Sequence, residues 1–434
     1  MGQSLWLWAF LPLFTACAAF WARPFFLMRK GRESRAPHGE KAEGSLSSGQ
    51  AAGVALAATI GTGNIVGTAQ AIAMGGPGAV FWIWAAALLA MPVKTAEILL
   101  GQRTGGAAGY IRRALGPIPA EIYAVLALGN VLILGNMTQM NTIASLLGRT
   151  DVPAAGLAVS LALTALIAIC LKKGIDSVSN LCMKLVFAMA GLYLAACSAV
   201  LLLHVHQIPP AFRLIFRCAL HPQALGGAAS GVLARDAFLW GLKRGAFSNE
   251  AGLGTAANIH AYTNETDPVR NALLGAGEVF ADTLLCTLTA LVLLTARVPI
   301  PRGSLPGSEL VGQALKGSFG ESASGWLLGL CLGSFALSTV LGAYIAGTRS
   351  ADSLGIRAGA YRPVFLCCTA LGCFLPLRWI WHSADTVNVL MALPNLLALL
   401  LLAREEHGGA GRISRKLKNL LLPRRKEWCK IAKR

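Results

Sequence analysis

Residues 56–67 read LAATIGTGNIVG, and residues 243–254 read KRGAFSNEAGLG. Each stretch lies inside an apolar run long enough to cross a bilayer, at 48–74 and 231–262. Glycine and polar residues in the middle of such a run predict a broken helix, because hydrocarbon tolerates an unpaired backbone only where protein or a cavity covers it. Two such breaks predict a binding site near the bilayer midplane, as in transporters with broken helices.

Composition indicates a membrane protein. Of 434 residues, 55% are hydrophobic and only 13% are charged, whereas soluble proteins carry roughly 25% charged residues. The 48 glycines are typical of transmembrane helices that pack closely, and Gly63 with Gly67 could form one such GxxxG contact. We therefore expect an all-α polytopic membrane protein.

The apolar runs predict eleven transmembrane helices. The predicted spans are 5–28, 48–74, 78–99, 118–147, 153–171, 178–203, 231–262, 271–296, 324–348, 361–379 and 384–403. The loops after the odd-numbered spans, together with the C-terminal tail, hold about 25 lysines and arginines, against about 6 on the other side. The positive-inside rule therefore predicts that the N-terminus lies outside and the C-terminus in the cytoplasm.

The eleven predicted spans divide into one extra helix and two groups of five. The broken helices are then the first members of their groups, and an odd number of spans inverts the second group relative to the first, as in secondary transporters. The predicted units are 1–47 (extra transmembrane helix and cytoplasmic loop), 48–203 (first five-helix repeat), 204–230 (connecting loop), 231–403 (second five-helix repeat) and 404–434 (basic cytoplasmic tail).

The basic tail carries much of the net charge of +18. Basic residues beside a membrane span favour contact with anionic lipid, and we expect membrane lipid rather than nucleic acid as the partner of this tail. The eleven cysteines lack the paired spacing of a metal site.

Several stretches resemble a known family. Residues 56–67 with 75–82 (GGPGAVFW), and residues 243–254, are similar to the two signature sequences of the alanine or glycine:cation symporters, the sodium:alanine symporter family. Residues 135–141 (GNMTQMN) and 337–342 (LSTVLG) also match. The resemblance extends over about residues 48–402.

The resemblance implies a secondary active symporter in the plasma (inner) membrane. It would import a small neutral amino acid, alanine or glycine, with Na⁺ by alternating access, and would need no cofactor. The choice between alanine and glycine, the D- or L-isomer, the ion stoichiometry and the oligomeric state stay open. Proton coupling and a non-transporting amino-acid sensor are the alternatives. An enzyme is not expected, because the sequence contains no HExxH motif, nucleophile elbow or metal-ligand cluster.

An amino-acid substrate would need polar partners for both of its charges. Backbone N–H groups at the start of the second half of a broken helix favour anions. Those of Thr62, Gly63 and Asn64 are therefore expected to hold the carboxylate. Carbonyl groups around Phe247 are expected to meet the ammonium. The further candidates for lining the site are Gln139, Asn141, Ser248 and Asn249.

The resemblance also implies sites for Na⁺, a hard cation that takes about six oxygen ligands. Asn64 and Ser248 are expected to bind one ion beside the substrate carboxylate. By analogy with transporters of the same five-plus-five fold, a second ion is expected among residues of spans two and nine. These candidates are Ala57, Thr59, Ile60, Ser338 and Thr339.

Several charged residues lie inside the predicted spans, and each could have a structural role or a functional one. Lys94 and Glu97 lie three residues apart and could form an ion pair within one helix or lie near the cytoplasmic interface. Glu250 lies inside the second break and is expected to brace it. Asp282 could bind a proton or an ion, or could serve as a gate or a packing contact.

Overall fold

The structure is a computed structural model that describes residues 9–28, 46–146, 153–220, 230–261, 263–300, 307–375 and 377–406. These ranges are almost entirely helical, and the β-pairing within them is a single bridge between Leu46 and Thr263. The predicted basic tail and most of the predicted 29–47 loop lie outside the described residues.

The helices of the described ranges follow the predicted spans and add shorter segments between them. They are α1 (Leu11–Met28), α2 (Ser48–Thr59), α3 (Thr68–Gly75), α4 (Ala79–Thr104), α5 (Ala107–Leu115), α6 (Pro117–Asn130), α7 (Thr138–Leu146), α8 (Pro153–Lys172), α9 (Ile175–Leu203), α10 (Ile208–Leu220), α11 (Ser230–Ser248), α12 (Thr255–His260), α13 (Pro268–Thr295), α14 (Gly307–Phe319), α15 (Glu321–Ser353), α16 (Ala358–Gly372) and α17 (Leu377–Glu406). Helix α10 occupies part of the predicted connecting loop at 204–230.

Six helices among the described residues are long and apolar enough to cross a membrane, and α2 with α3 makes a seventh if the bent pair is one span. Two further apolar helices, Leu11–Ala22 and Leu157–Lys172, are shorter. The protein is therefore a multi-pass, all-α membrane protein. The number eleven and the inverted repeat remain predictions.

The first break separates α2 from α3. Helix α2 begins with a capping box between Ser47 and Gln50, ends at Thr59, and is followed by a π-helical turn, Gly63–Gly67. The axes on the two sides differ by 44°. Gly61 allows close packing here, since a Cβ atom at this position would lie 2.9 Å from the Thr339 hydroxyl.

The second break separates α11 from α12. Three residues between them, Glu250, Gly252 and Gly254, have positive φ angles of 50°, 85° and 74°. Glycine adopts this left-handed conformation without steric cost, whereas glutamate does not. The break therefore lies within the predicted stretch 243–254, and Glu250 holds a conformation that its neighbours must stabilise.

Helix α4 packs against both α11 and α13. Gly245 of α11 allows the close approach, because a Cβ atom here would lie 2.8 Å from the Ile83 carbonyl oxygen. Small residues bring transmembrane helices together in this way. The packing places charged side chains of α4 beside the second break.

Candidate functional site

A cavity of about 170 Å³ lies between the two breaks. Its lining includes six of the predicted site residues: Thr59, Gly63, Gln139, Phe247, Ser248 and Thr339. It also includes three charged side chains, those of Lys243, Arg244 and Glu250. The cavity thus combines an unwound backbone, neutral polar groups and charges of both signs.

One carboxylate joins the two breaks. Asp282 of α13 is 1% exposed, and its Oδ1 accepts hydrogen bonds from Asn64 Nδ2 at 2.6 Å and from Ser248 Oγ at 3.0 Å. Asn64 and Ser248, predicted as ligands of the same ion, therefore lie around one oxygen atom. Asp282 is an additional anionic group at that position.

Asn64 also stabilises the first break from within. Its Oδ1 accepts a hydrogen bond from the Gly61 N–H at 3.1 Å, and its own N–H donates to the Gly61 carbonyl at 3.2 Å. The Asn64 N–H, predicted to bind the substrate carboxylate, thus has a partner inside the break. Thr62 donates its hydroxyl to Gln139 Oε1 at 2.8 Å, and Gly63 faces the cavity directly.

At the predicted second ion position, two of the five predicted ligand residues are in contact with each other. Thr339 Oγ1 donates to the Ala57 carbonyl at 2.8 Å. The Thr59 hydroxyl donates to the Ala55 carbonyl and the Ser338 hydroxyl to the Phe335 carbonyl, each within its own helix. The N–H of Ile60 donates to the Leu56 carbonyl at 2.6 Å. Ala57 and Thr339 are thus the two predicted ligands that meet across the helix interface.

Two predicted lining residues do not line the cavity. Asn249 donates its side-chain amide to the Gly245 carbonyl at 2.6 Å. Asn141 donates to the carbonyls of Gly372 and Leu375 at 2.9 and 2.7 Å. Both amides instead fix the backbone near helix ends.

The expected ion pair between Lys94 and Glu97 is wrong. Lys94 pairs with Glu278 at 3.0 Å and donates to the Asn249 carbonyl at 3.2 Å. Glu97 accepts from the Gly254 N–H at 2.9 Å and from Asn395. The physical reason is the second break, which offers a carbonyl at the end of α11 to the cation and an N–H before α12 to the carboxylate.

Glu250 braces the second break, as expected, because its Oε2 accepts the Thr255 hydroxyl at 2.7 Å. It lines the cavity as well, so a structural role and a substrate contact are compatible. His260, the last residue of α12, is fully buried. Its ring nitrogens lie 2.7 Å from Asn271 Oδ1 and 2.8 Å from Glu278 Oε1.

The hydrogen bonds that join Asp282 to both breaks and the position of Arg244 were not predicted, although an ion or proton site at Asp282 was one of the alternatives. The four-residue spacing of Glu278 and Asp282 was the available signal, since it puts both carboxylates on one face of α13. No spacing rule relates Arg244 to the first break, because the two are brought together only by the packing of α11.

Comparison with known proteins gives a consistent result. The sequence profile of the sodium:alanine symporter family matches residues 12–418. Sodium/alanine symporter AgcS of Methanococcus maripaludis is 36% identical over 393 residues, which cover 84% of this chain and 83% of that protein. "Probable sodium/glutamine symporter GlnT" of Bacillus subtilis is 32% identical, with coverages of 87% and 79%.

A similar fold occurs in a solved structure of a Na⁺-coupled sialic acid symporter in a substrate-bound outward-open state. The TM-score is 0.52, and the match covers 90% of this chain and 81% of the other at 11% sequence identity. This similarity concerns the fold alone.

Proposed function

Since the chain belongs to the sodium:alanine symporter family, a family of transporters and not of enzymes, we propose that it imports a small neutral amino acid, alanine or glycine, together with Na⁺. The observation that carries this proposal is the cavity between the two helix breaks, with Asp282 bonded to both breaks. Alternating access would result from rocking of the two groups of helices around this site.

The first Na⁺ binds among Asn64, Ser248 and Asp282. Asp282 contributes a full negative charge, which a buried cation needs more than neutral oxygens alone. The Asn64 oxygen keeps a second lone pair beside its bond to Gly61. Binding requires the present hydrogen bonds to Asp282 to open, so the ion and these donors compete for one carboxylate.

A second Na⁺ binds between α2 and α15. The Ala57 carbonyl and the Thr339 hydroxyl, 2.8 Å apart, support this position because both present oxygen at the first break. The carbonyl of Ile60 and the hydroxyls of Thr59 and Ser338 complete the proposed ligand set, since a hydroxyl that donates its proton keeps lone pairs for the ion.

The amino acid occupies the cavity between these ions. Its carboxylate lies at the first break near Thr62 and Gly63, and its ammonium lies near the carbonyl of Phe247. Gln139 lines the cavity and accepts the Thr62 hydroxyl, which supports a role in shaping the site. Glycines in the cavity wall let the substrate come close to the protein backbone. The small volume of the cavity favours small substrates.

Uptake into proteoliposomes tests this function. The purified full chain is reconstituted, and entry of labelled alanine and glycine is measured under an inward Na⁺ gradient, an inward H⁺ gradient, and neither. We expect Na⁺-driven accumulation of at least one of the two. Accumulation driven by H⁺ alone would favour the proton-coupled alternative, with Asp282 or Glu250 as the titrating group.

A pair of variants tests the proposed Na⁺ site: Asp282→Asn, and Thr283→Ala as its control. Asp282→Asn is expected to remove Na⁺-driven uptake, because the ion loses its anionic ligand. Thr283→Ala changes the adjacent residue, whose hydroxyl donates to the Val279 carbonyl of its own helix, and is expected to transport normally. Equal Na⁺ dependence in wild type and Asp282→Asn would contradict the proposed ion site. Binding of either amino acid without uptake under any gradient would favour the sensor.

A further inference from the structure

Arg244 lies at the inner face of α11, one helical turn before the second break. Its guanidinium covers the first break, since a methyl group added at Gly63 or at Gly67 would overlap it. Arg244 also lines the cavity. The two glycines therefore leave space for the Arg244 side chain and do not serve as a GxxxG contact between two helix backbones.

The guanidinium lacks an ion-pair partner in the described part of the chain. No carboxylate oxygen of those residues lies within 4.0 Å of it. Its Nη2 donates to the Ser248 hydroxyl at 3.3 Å, and its buried Nε has no hydrogen-bond partner. A cation left unpaired beside an apolar interior is costly, so the arrangement calls for an anion that binds in the cavity.

Asp282 does not fill this role. It lies beyond Ser248, whose hydroxyl separates it from Arg244, and its Oδ1 already receives Asn64. In the proposed function the charge of Asp282 balances Na⁺. The positive charge of Arg244 then needs a separate negative charge whenever the ion is bound.

We propose that Arg244 anchors the substrate, its guanidinium binding the α-carboxylate through charge-assisted hydrogen bonds. The planar fork of an arginine suits a carboxylate, which it can bind with two parallel N–H groups. This inference rests on the proposed function and deepens it. Glu250 lines the same cavity and complements the ammonium, so the site fits a zwitterion and binds ligands without a free carboxylate more weakly.

Competition binding tests the anchor. Labelled alanine is bound to the detergent-solubilised full chain in saturating Na⁺ and displaced by alanine or by alaninamide, which keeps the ammonium but lacks the carboxylate. Glycine and glycinamide form a second pair of probes. Arg244→Gln is expected to weaken alanine binding about 10- to 100-fold, the value of a charge-assisted hydrogen bond. Alaninamide binding should change less than threefold, so discrimination between the two collapses.

Two further variants keep the test decisive. Arg244→Lys retains the charge but not the fork and should lie between wild type and Arg244→Gln. Gly67→Ala displaces the guanidinium without removing it and should weaken alanine while sparing alaninamide, which decides the matter if Arg244→Gln does not fold. Arg235→Gln is the matched control, because this arginine is exposed on the same helix.

Some outcomes would overturn the anchor. Equal losses for alanine and alaninamide would make Arg244 a structural residue or a gate. Wild-type alanine binding that requires chloride and fails in gluconate would assign the anion position to an inorganic ion. Failure of the wild type to bind either amino acid would instead contradict the proposed function, and this is visible before any variant is made.

Discussion

At the scale of single residues, one oxygen atom of Asp282 accepts hydrogen bonds from both helix breaks. Asn64 and Ser248 belong to different helices and are separated widely in sequence, yet both donate to Asp282 Oδ1. A buried carboxylate needs hydrogen bonds or a cation to be stable. Asp282 Oδ1 can therefore exchange its two hydrogen-bond donors for Na⁺. We expect the contacts of Asp282 to change most when Na⁺ binds.

Asn64→Ala is expected to abolish Na⁺-coupled uptake while leaving the folded protein intact. The change removes both the Gly61 bond that holds the first break and the amide beside Asp282. Initial rates of labelled alanine uptake measure the effect, and size-exclusion elution in detergent reports folding. Asn180→Ala is the control, because the exposed Asn180 makes the same kind of amide bond with Gln50 far from the cavity. Near-normal transport by Asn64→Ala would move the site elsewhere.

At the scale of elements, the second break is held by opposite charges at its two ends. Lys94 donates to a carbonyl where α11 ends, and Glu97 accepts an N–H just before α12 begins. Both charges match the dipole ends that they meet. Helix α4 thus acts as a rigid support that keeps the unwound segment in one conformation.

Lys94→Met is expected to destabilise the protein more than the double change Lys94→Met with Glu278→Met. Removing one member of a buried ion pair typically costs about 3–5 kcal/mol, whereas replacing both by apolar residues costs far less. Glu278 in the single variant keeps His260 as a basic partner. Thermal unfolding followed by loss of the monodisperse elution peak measures the difference.

The exposed pair Lys316 and Glu321 provides the control for this comparison. Lys316→Met should leave the midpoint of thermal unfolding nearly unchanged, since an exposed ion pair contributes about 0–1 kcal/mol to the free energy of unfolding. A double variant as unstable as Lys94→Met alone would show that the ion pair is not the reason for the loss.

Sequence alone locates the breaks but not their partners. Lipid forbids an unpaired backbone, so glycine and polar residues inside 48–74 and 231–262 were informative by themselves. The pairing of Lys94 could not be derived, because spacing along one helix ignores the carbonyl that another broken helix supplies. Helix α10 was missed for a related reason: it is amphipathic and too short to resemble a span.

At the scale of the whole molecule, the alternation of basic loops makes a prediction about orientation. Truncated fusions after residue 300 and full-length fusions after residue 434 are made with green fluorescent protein or with alkaline phosphatase. The C-terminal fusion should be fluorescent and inactive as a phosphatase, and the fusion after 300 should behave oppositely, because the basic loops stay in the cytoplasm. The same readout at both positions would contradict the predicted spans between them.

Coupling between the ion and the substrate must be reciprocal where it exists. If Na⁺ at Asp282 and the amino acid at Arg244 interact, saturating Na⁺ must lower the Kd for alanine by the same factor by which saturating alanine lowers the Kd for Na⁺. We expect a factor of about 5 to 150, the usual range for coupled sites. Isothermal titration calorimetry of one detergent-solubilised sample measures both arms, with choline replacing Na⁺ at constant ionic strength.

Variants of Asp282 and Arg244 distinguish the contribution of the ion site from that of the substrate site. Asp282→Asn should bring the factor close to one, because the ion position loses its charge. Arg244→Gln should weaken alanine binding both with and without Na⁺, because the substrate carboxylate loses its guanidinium partner. A wild-type factor of one in both arms would mean that ion and substrate bind independently. The cavity between the breaks would then not be the place where the Na⁺ gradient drives uptake.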